Sequence, residues 1–201
     1  VAGEFKLDGL ALCLTYNDRK LVRAATRGDG TIGDDVTGHA RYIDNIPLEL
    51  PAEIPHTAFE ITGEVLMLRS TLERVNADLI NGGKQPLANT RNAAAGALRN
   101  IDPTILQTRK LVFVPYGFSQ SLIDAVGSKN YLDVMSLLEL AFDRTMIKST
   151  FSMTTVGVEN IYNEMLAMRN QLDYDIDGVV IKAVNFNERE RLGTTTRAPN
   201  W

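Results

Sequence analysis

The sequence lacks the features that are typical of disulfide-bonded, zinc-binding and membrane-spanning proteins. Its 201 residues include a single cysteine, Cys13, which permits neither an internal disulfide bond nor a four-cysteine zinc site. No run of about 18 apolar residues offers a membrane span, and no basic stretch followed by an apolar segment resembles a secretory signal. We therefore expect a cytoplasmic protein of a reducing compartment, with no membrane partner and no zinc in this chain.

Positive charge is scarce too, because 21 lysines and arginines stand against 25 acidic residues, for a net charge of −4. Tight DNA binding needs a surplus of Lys and Arg, so we do not expect the chain alone to bind DNA tightly, although a local basic groove is compatible with this balance. The 44% hydrophobic content is typical of a globular domain. The sequence begins at Val1 and stops at Trp201 without an obvious domain ending, so we expect a piece of a longer protein.

Apolar periodicity and turn residues predict strands interspersed with helices. The fold expected from this mixture is α+β, with antiparallel sheets and flanking helices, rather than a doubly wound parallel sheet. Two helix starts carry capping signals: Asp34 or Asp35 before the first helix, and the Ser70-to-Glu73 capping-box spacing before the second. We predict strands at 10–16, 21–26, 59–67, 111–118 and 177–184. We predict helices at 36–42, 70–81, 92–99, 131–142, 158–172 and 187–192, the fifth with an apolar stripe of Ile161, Met165, Met168 and Leu172.

The stretch Lys6-Leu7-Asp8-Gly9 carries the first chemical signal. A lysine amine can attack a nucleotide phosphate and form a phosphoramidate that a later acceptor discharges. Asp-Gly is also common turn chemistry, so the tetrapeptide alone favours a tight turn with a surface lysine. The rest of the chain has to decide between these interpretations.

Further polar residues cluster beside glycines or at predicted strand ends. Taken singly, each fits a turn, an ion pair or a solvated helix face. Together they supply what nucleotidyl transfer demands: carboxylates for Mg²⁺, cations for a phosphate in its transition state, and glycines that let the backbone approach a nucleotide. The members are Glu4, Asp8, Arg27 in a glycine-rich loop, Glu64 inside a strand, Asn89, Arg91, Asn92 and Arg99, and Asp177 and Lys182 around a buried strand.

In order along the chain, these motifs resemble those of the adenylation (nucleotidyltransferase) domain of bacterial-type NAD-dependent DNA ligases. The active-site lysine motif has Phe5 where proline is usual, and the Gly63-Glu64-Val65 motif has Thr62 in place of the usual arginine. The stretch 25–37 resembles a hallmark that ATP-dependent ligases lack, and 87–99 is the most specific match. The other matching stretches are 4–9, Val114-Pro115-Tyr116-Gly117, 176–182 and 192–201.

The resemblance implies the ATP-grasp-like fold of covalent nucleotidyltransferases, with residues 1–201 forming one adenylation domain that is incomplete at both ends. It also implies that Lys6 attacks NAD to form a covalent lysine–AMP intermediate. The full enzyme then uses this intermediate to seal 5′-phosphate/3′-hydroxyl nicks in duplex DNA, a nucleoid-associated activity. We expect the isolated chain to be impaired, since the remaining ligase domains would lie elsewhere in the same chain or in a separate one.

The resemblance also implies roles for individual residues. Lys6, Asp8 and Lys182 are the expected catalytic residues, with Lys182 contacting the α-phosphate and acting as the cationic neighbour that helps Lys6 lose its proton. NAD should be bound by Glu4 at the adenine edge, Tyr116 stacking on the ring, Lys6, Arg27, Glu64, Asp177 and Lys182. DNA or phosphate should be contacted by Arg91, Arg99 and Arg169, and Mg²⁺ should be held by Glu64 and Asp177.

Two alternatives remain open at this point. An ATP-dependent ligase or a capping-type guanylyltransferase shares the lysine chemistry, but should lack the patterns at 27–33 and 89–99. A catalytically inactive nucleotide-binding or scaffold module of a split or degenerate ligase is suggested by the departures at Phe5 and Thr62. Replacing Lys6 with alanine separates these interpretations, because it should abolish covalent attachment of AMP but need not abolish nucleotide binding.

Overall fold

The computed structural model describes residues 1–28, 33–142, 150–152, 157–195 and 199–201, and its strands form two antiparallel sheets. A four-stranded sheet contains β2 (Leu10–Asn17), β3 (Lys20–Thr26), β4 (Phe59–Leu66) and β5 (Val112–Phe118), in the order β3-β2-β4-β5. A three-stranded sheet contains β1 (Ala2–Leu7), β6 (Thr150–Ser152) and β7 (Ile176–Lys182), in the order β6-β1-β7. The predicted α+β class and antiparallel sheets are confirmed, whereas β1 and β6 were not predicted.

Local sequence accounts for the predicted hairpin between β2 and β3. Asn17 pairs with Lys20, so the connection is a two-residue turn. Both turn residues, Asp18 and Arg19, have positive φ angles of 50° and 65°. That backbone geometry is the one whose twist matches paired antiparallel strands, and aspartate tolerates it better than most residues.

Helices flank the sheets near the predicted positions, with different ends. The predicted 158–172 helix stops at Met168 and continues as a 3₁₀ turn, Arg169–Gln171. Within its predicted apolar stripe Met165 is buried, but Met168 is exposed, so that part of the prediction is wrong; the side chain of Ile161 lies outside the described residues. The helices are α1 (Thr37–Ala40), α2 (Arg69–Asn81), α3 (Thr90–Leu98), α4 (Leu106–Arg109), α5 (Gln120–Val126), α6 (Tyr131–Ala141), α7 (Val158–Met168) and α8 (Phe186–Leu192).

Neither of the two helix caps forms as predicted. The Asp35 carboxylate accepts a hydrogen bond from the backbone N–H of Thr37 at 2.9 Å, but the N-cap position of α1 is Val36 and carries no side-chain cap. The capping box of α2 is wrong, because the N-cap position is Leu68 and no side chain of the helix caps it. Instead Asp173, over a hundred positions away in sequence, accepts from the N–H of Ser70 at 2.8 Å and from its hydroxyl at 2.5 Å.

The main core fills the space between the four-stranded sheet and its helices, while a smaller cluster that includes Phe5, Leu66 and Ile176 joins strands of both sheets. The Asp8-Gly9 turn links β1 directly to β2. A Cβ on Gly9 would collide with the carbonyl oxygen of Val65 and the side chain of Leu66, so only glycine allows this close approach. No helix within the described ranges is both long and apolar enough to cross a bilayer.

Candidate functional site

A cavity of about 520 Å³ opens where strands of the two sheets approach one another. Residues of β1, β2, β3, β4, β5 and β7 line it, together with the Asp8-Gly9 turn, Arg91 of α3 and residues that follow β3 and α3. Every residue to which the sequence analysis gave a role lines this cavity except Arg169; Asn89 and Asn92 of the wider polar cluster lie outside the lining, where Asn89 caps α3. The predicted residues in its wall are Glu4, Lys6, Asp8, Arg27, Glu64, Arg91, Arg99, Tyr116, Asp177 and Lys182.

Lys6 forms an ion pair with Asp177 within the cavity. Both side chains are more than half exposed, at 54% and 60%, so incoming ligand can reach them. The hydrogen bond and positive charge of Lys6 lower the pKa of Asp177 below its ordinary value of 3.8. The contact with Asp177 holds the amino group of Lys6 in place within the cavity.

A backbone irregularity brings Asp177 to Lys6. Lys6 pairs with Gly178 and Leu7 pairs with Ile176, so Asp177 has no Cα partner in β1. Gly178 has a φ angle of +152°, a conformation that side-chain-bearing residues rarely adopt. Bulges of this kind re-aim a side chain that strict alternation would send to the opposite face.

Lys182, the predicted cationic neighbour of Lys6, lines the same cavity but is bonded to other groups. It pairs with Ala2, four residues along β7 from the partner of Lys6, which separates the two Cα positions by about 13 Å along the strand. Its ammonium group donates to Glu4 Oε2 at 2.6 Å and to the carbonyl oxygen of Tyr116 at 2.7 Å. Lys6 itself is paired with an acid, Asp177.

Glu4 and Lys182 form a buried pair in the cavity wall, with side chains only 5% and 14% exposed. Sequence analysis missed the residue that completes this group. The Tyr131 hydroxyl lies 2.5 Å from Glu4 Oε1 and 3.1 Å from the ammonium nitrogen of Lys182. Tyr131 lies at the start of α6, and its sequence context gives no sign that it reaches a residue 127 positions away.

Tyr116 lies next to this group on β5. Burial, followed by the nearby charge of Glu64, raises the pKa of its hydroxyl to about 12. The side chain therefore stays neutral at physiological pH. A half-buried neutral aromatic ring in the cavity wall is suited to stacking against a planar base.

Glu64 lies on β4, opposite Ala11 of β2. Burial raises the pKa of its carboxyl group to about 7, against the opposing effects of the Gly9 backbone N–H and Arg91. Near neutral pH it is thus balanced between its protonated and ionised forms. Within the described ranges, no three His, Cys, Asp or Glu side chains converge in a way that could hold a metal ion by themselves.

The predicted arginines occupy different parts of the site. Arg91, in the first turn of α3, donates to Asp8 Oδ1 at 2.9 Å. Arg27 and Arg99 are exposed in the cavity wall, and Arg99 lies 4.0 Å from Asp34. Arg169 is exposed outside the lining, although its charge contributes to lowering the pKa of Asp177.

A second group that sequence analysis missed supports the Lys6 turn from behind. Asp175 accepts from Arg69 Nε and Nη2 at 2.9 and 2.6 Å, and from the Thr90 hydroxyl at 2.6 Å. Its backbone carbonyl accepts from the N–H of Asp8 at 3.0 Å. Burial opposes ionisation of Asp175, but the bonds from Thr90 and Arg69 outweigh it and leave its pKa below 3.8. The group ties α2, α3 and the segment before β7 to the turn that follows Lys6.

Known proteins are similar in sequence to this chain over nearly its whole length. A family model of the NAD-dependent DNA ligase adenylation domain matches residues 1–201. Proteins named DNA ligase are similar over 98% of this chain: those of Alkalilimnicola ehrlichii (38% identical, 29% of its own length covered), Neisseria gonorrhoeae (40%, 24% covered) and Natranaerobius thermophilus (40%, 29% covered). The chain thus spans about a quarter to three tenths of the length of these curated relatives. Since the family match extends over its whole length, the chain belongs to the family of NAD-dependent DNA ligase adenylation domains.

Proposed function

We propose that this chain is the adenylation core of an NAD-dependent DNA ligase and that Lys6 becomes covalently bonded to AMP. The observation that carries this proposal is the exposed Lys6–Asp177 pair in a cavity whose wall also carries Arg27, Arg91 and Glu64. The cavity holds an amine, phosphate-binding cations and carboxylates within one space of about 520 Å³. A two-sheet arrangement that encloses such a cavity is consistent with the ATP-grasp-like fold of covalent nucleotidyltransferases.

In the proposed reaction, Lys6 Nζ attacks the α-phosphorus of NAD. One proton leaves the ammonium group before attack, which for an unperturbed lysine near pH 7.5 costs about 4 kcal/mol. A P–N bond then forms, and the bond from phosphorus to the bridging oxygen breaks. Nicotinamide mononucleotide leaves with that electron pair, and a second proton is lost from the nitrogen. Asp177 orients the nitrogen before attack, and arginines such as Arg91 stabilise the charge that develops on the phosphate.

The cavity also fits a magnesium ion bound together with substrate. Mg²⁺ is commonly held by one or two carboxylates, water and substrate phosphates rather than by a cage made only of protein ligands. Glu64 and Asp177 are the carboxylates that would hold it, and the ion would neutralise charge on the phosphate.

Nick sealing is proposed for the whole enzyme rather than for this chain alone. The relatives named DNA ligase are much longer, since this chain covers only 24–29% of their lengths. The net charge of −4 also disfavours tight DNA binding by the chain. Arg91, Arg99 and Arg169 are the proposed contacts to nucleotide phosphate or nicked DNA, and reaction with NAD is expected to be weak in isolation.

The test asks whether Lys6 is the nucleophile independently of whether the chain can hold the leaving group of NAD. The chain is incubated with Mg²⁺ and either NAD or adenosine 5′-phosphorimidazolide, whose activated phosphate carries its own leaving group. We expect a mass increase of one AMP with the imidazolide, little increase with NAD, and loss of the increase in Lys6→Ala. Equal labelling of wild type and Lys6→Ala would contradict the proposal.

A matched control guards against general lysine reactivity. Lys110 is similarly exposed at 55% and is also paired with an aspartate, Asp44 at 2.9 Å, but it lies outside the cavity. Lys110→Ala should label as strongly as the wild type. Robust nick sealing or efficient labelling from NAD by the isolated chain would overturn the part of the proposal that describes the chain as impaired.

A further inference from the structure

We propose that Tyr131 is a positioning residue for base recognition, holding the Glu4 carboxylate in the orientation that selects adenine. This inference rests on the proposed function, in which Glu4 accepts a hydrogen bond from the adenine 6-amino group. Tyr131 belongs to none of the motifs that identify the site. Its role follows from where its hydroxyl lies and from how firmly its ring is held.

The Tyr131 hydroxyl has one proton and two acceptors within reach. Glu4 Oε1 lies 2.5 Å away and the carbonyl oxygen of Tyr116 lies 2.9 Å away. A bond to a carboxylate is the stronger of the two kinds, so the proton is donated to Glu4. The Tyr116 carbonyl oxygen accepts a hydrogen bond from the ammonium group of Lys182 at 2.7 Å, so each of the two acceptors has its own donor.

The carboxylate of Glu4 is therefore held at both oxygens, by Tyr131 at Oε1 and by Lys182 at Oε2. Each carboxylate oxygen can accept two hydrogen bonds, so acceptor capacity remains for a base. Glu4 is 4% exposed and lines the cavity, which limits the directions from which a donor can approach. Fixing the plane of the carboxylate thus fixes where a base must present its amino group.

The Tyr131 ring is well placed to act as a rigid anchor. It stacks on Phe118 with ring centroids 5.5 Å apart, and the Arg189 guanidinium lies 4.4 Å from its centroid. Its backbone N–H donates to the carbonyl oxygen of Val184 at 2.7 Å, just beyond β7. The side chain is 1% exposed. A flexible lysine can leave Glu4 when a nucleotide enters, whereas this tyrosine has little freedom to move.

The experiment compares AMP with purine riboside 5′-monophosphate, which lacks only the 6-amino group. Affinities are measured by calorimetry for wild type, Tyr131→Phe, Glu4→Gln and Tyr16→Phe. Tyr16→Phe is the matched control. The Tyr16 side chain is equally buried, and its hydroxyl donates to the Pro47 carbonyl oxygen at a distance of 2.8 Å, but Tyr16 does not line the cavity. Thermal melting of Tyr131→Phe and Tyr16→Phe checks that both variants fold.

Wild type and Tyr16→Phe should prefer AMP, and Tyr131→Phe should lose about fivefold to tenfold of that preference, as expected for one hydrogen bond of ordinary net strength. If the role of Tyr131 were merely structural, Tyr131→Phe would lower the affinities for both ligands equally. If wild type prefers AMP, Glu4→Gln does not, and Tyr131→Phe matches wild type, this inference is overturned while the proposed function stands. If wild type shows no preference, the assignment of Glu4 fails and the inference fails with it.

Discussion

Replacing Asp175 with alanine is expected to destabilise the domain and to weaken labelling of Lys6. The substitution removes two bonds from Arg69 and one from the Thr90 hydroxyl, and it leaves the guanidinium without its carboxylate. Breaking a fully buried ion pair by removing one partner costs about 3–5 kcal/mol. Here the side chains of Asp175 and Arg69 are 33% and 34% exposed, so solvent compensates part of the loss. We expect about 2–3 kcal/mol, which for a domain of this size lowers the Tm by about 4–12 °C.

The assay is thermal unfolding at pH 7, with Asp44→Ala as the matched control. Asp44 pairs with Lys110 at 2.9 Å, but the two side chains are 75% and 55% exposed, so its loss should cost no more than about 0.5 kcal/mol. Because the folded pKa of Asp175 lies below 3.8, its contribution is present above that pH and is lost as the pH falls through the folded pKa. The wild-type and Asp175→Ala melting curves should therefore converge at strongly acidic pH. Equal Tm values for Asp175→Ala and Asp44→Ala at pH 7 would refute this reasoning.

Three further substitutions test separate parts of the structure. Glu64→Gln should gain stability relative to the wild type as the pH rises from about 4.5 to 7. The folded pKa of about 7 makes ionisation of Glu64 unfavourable in the native state, so the wild type loses stability over this range. A Tm difference between the two proteins that does not change with pH would contradict this. Asp173→Ala should destabilise α2 by about 1 kcal/mol in urea unfolding, whereas Glu73→Ala should have little effect. A larger loss for Glu73→Ala than for Asp173→Ala would instead support the capping box. Lys182→Met should lower the Tm more than the double variant with Glu4→Gln does, because the single change leaves a buried carboxylate without its cation; additive losses would exclude this coupling.

Features set by neighbouring residues were predictable from the sequence. The β2–β3 hairpin follows from two β-prone stretches around a polar turn, and α6 follows from its apolar periodicity. Lys6, Asp8 and Asp177 were identifiable because each belongs to a short sequence motif. For the same reason, the family resemblance pointed to ten of the residues that line the cavity.

Features that depend on contacts distant in sequence were not predictable. The bulge that turns Asp177 towards Lys6 arises from the pairing of β1 with β7, and no local pattern encodes that register. Lys182 was expected beside Lys6 because both are cationic residues of motifs, yet strand register places it on Glu4 instead. Tyr131 acts across 127 positions of sequence and is recognisable only once the fold brings α6 against β1.

Peptide-level mass spectrometry of the chain after reaction with adenosine 5′-phosphorimidazolide and Mg²⁺ identifies which side chain carries AMP. We expect one modified peptide, containing Lys6, with an acid-labile and alkali-stable bond, as expected for a phosphoramidate. Modification spread over exposed lysines such as Lys20, Lys84 and Lys110 at rates equal to that of Lys6 would contradict this expectation. So would AMP found on Lys182, because the nucleophile would then be a different lysine of the cavity wall.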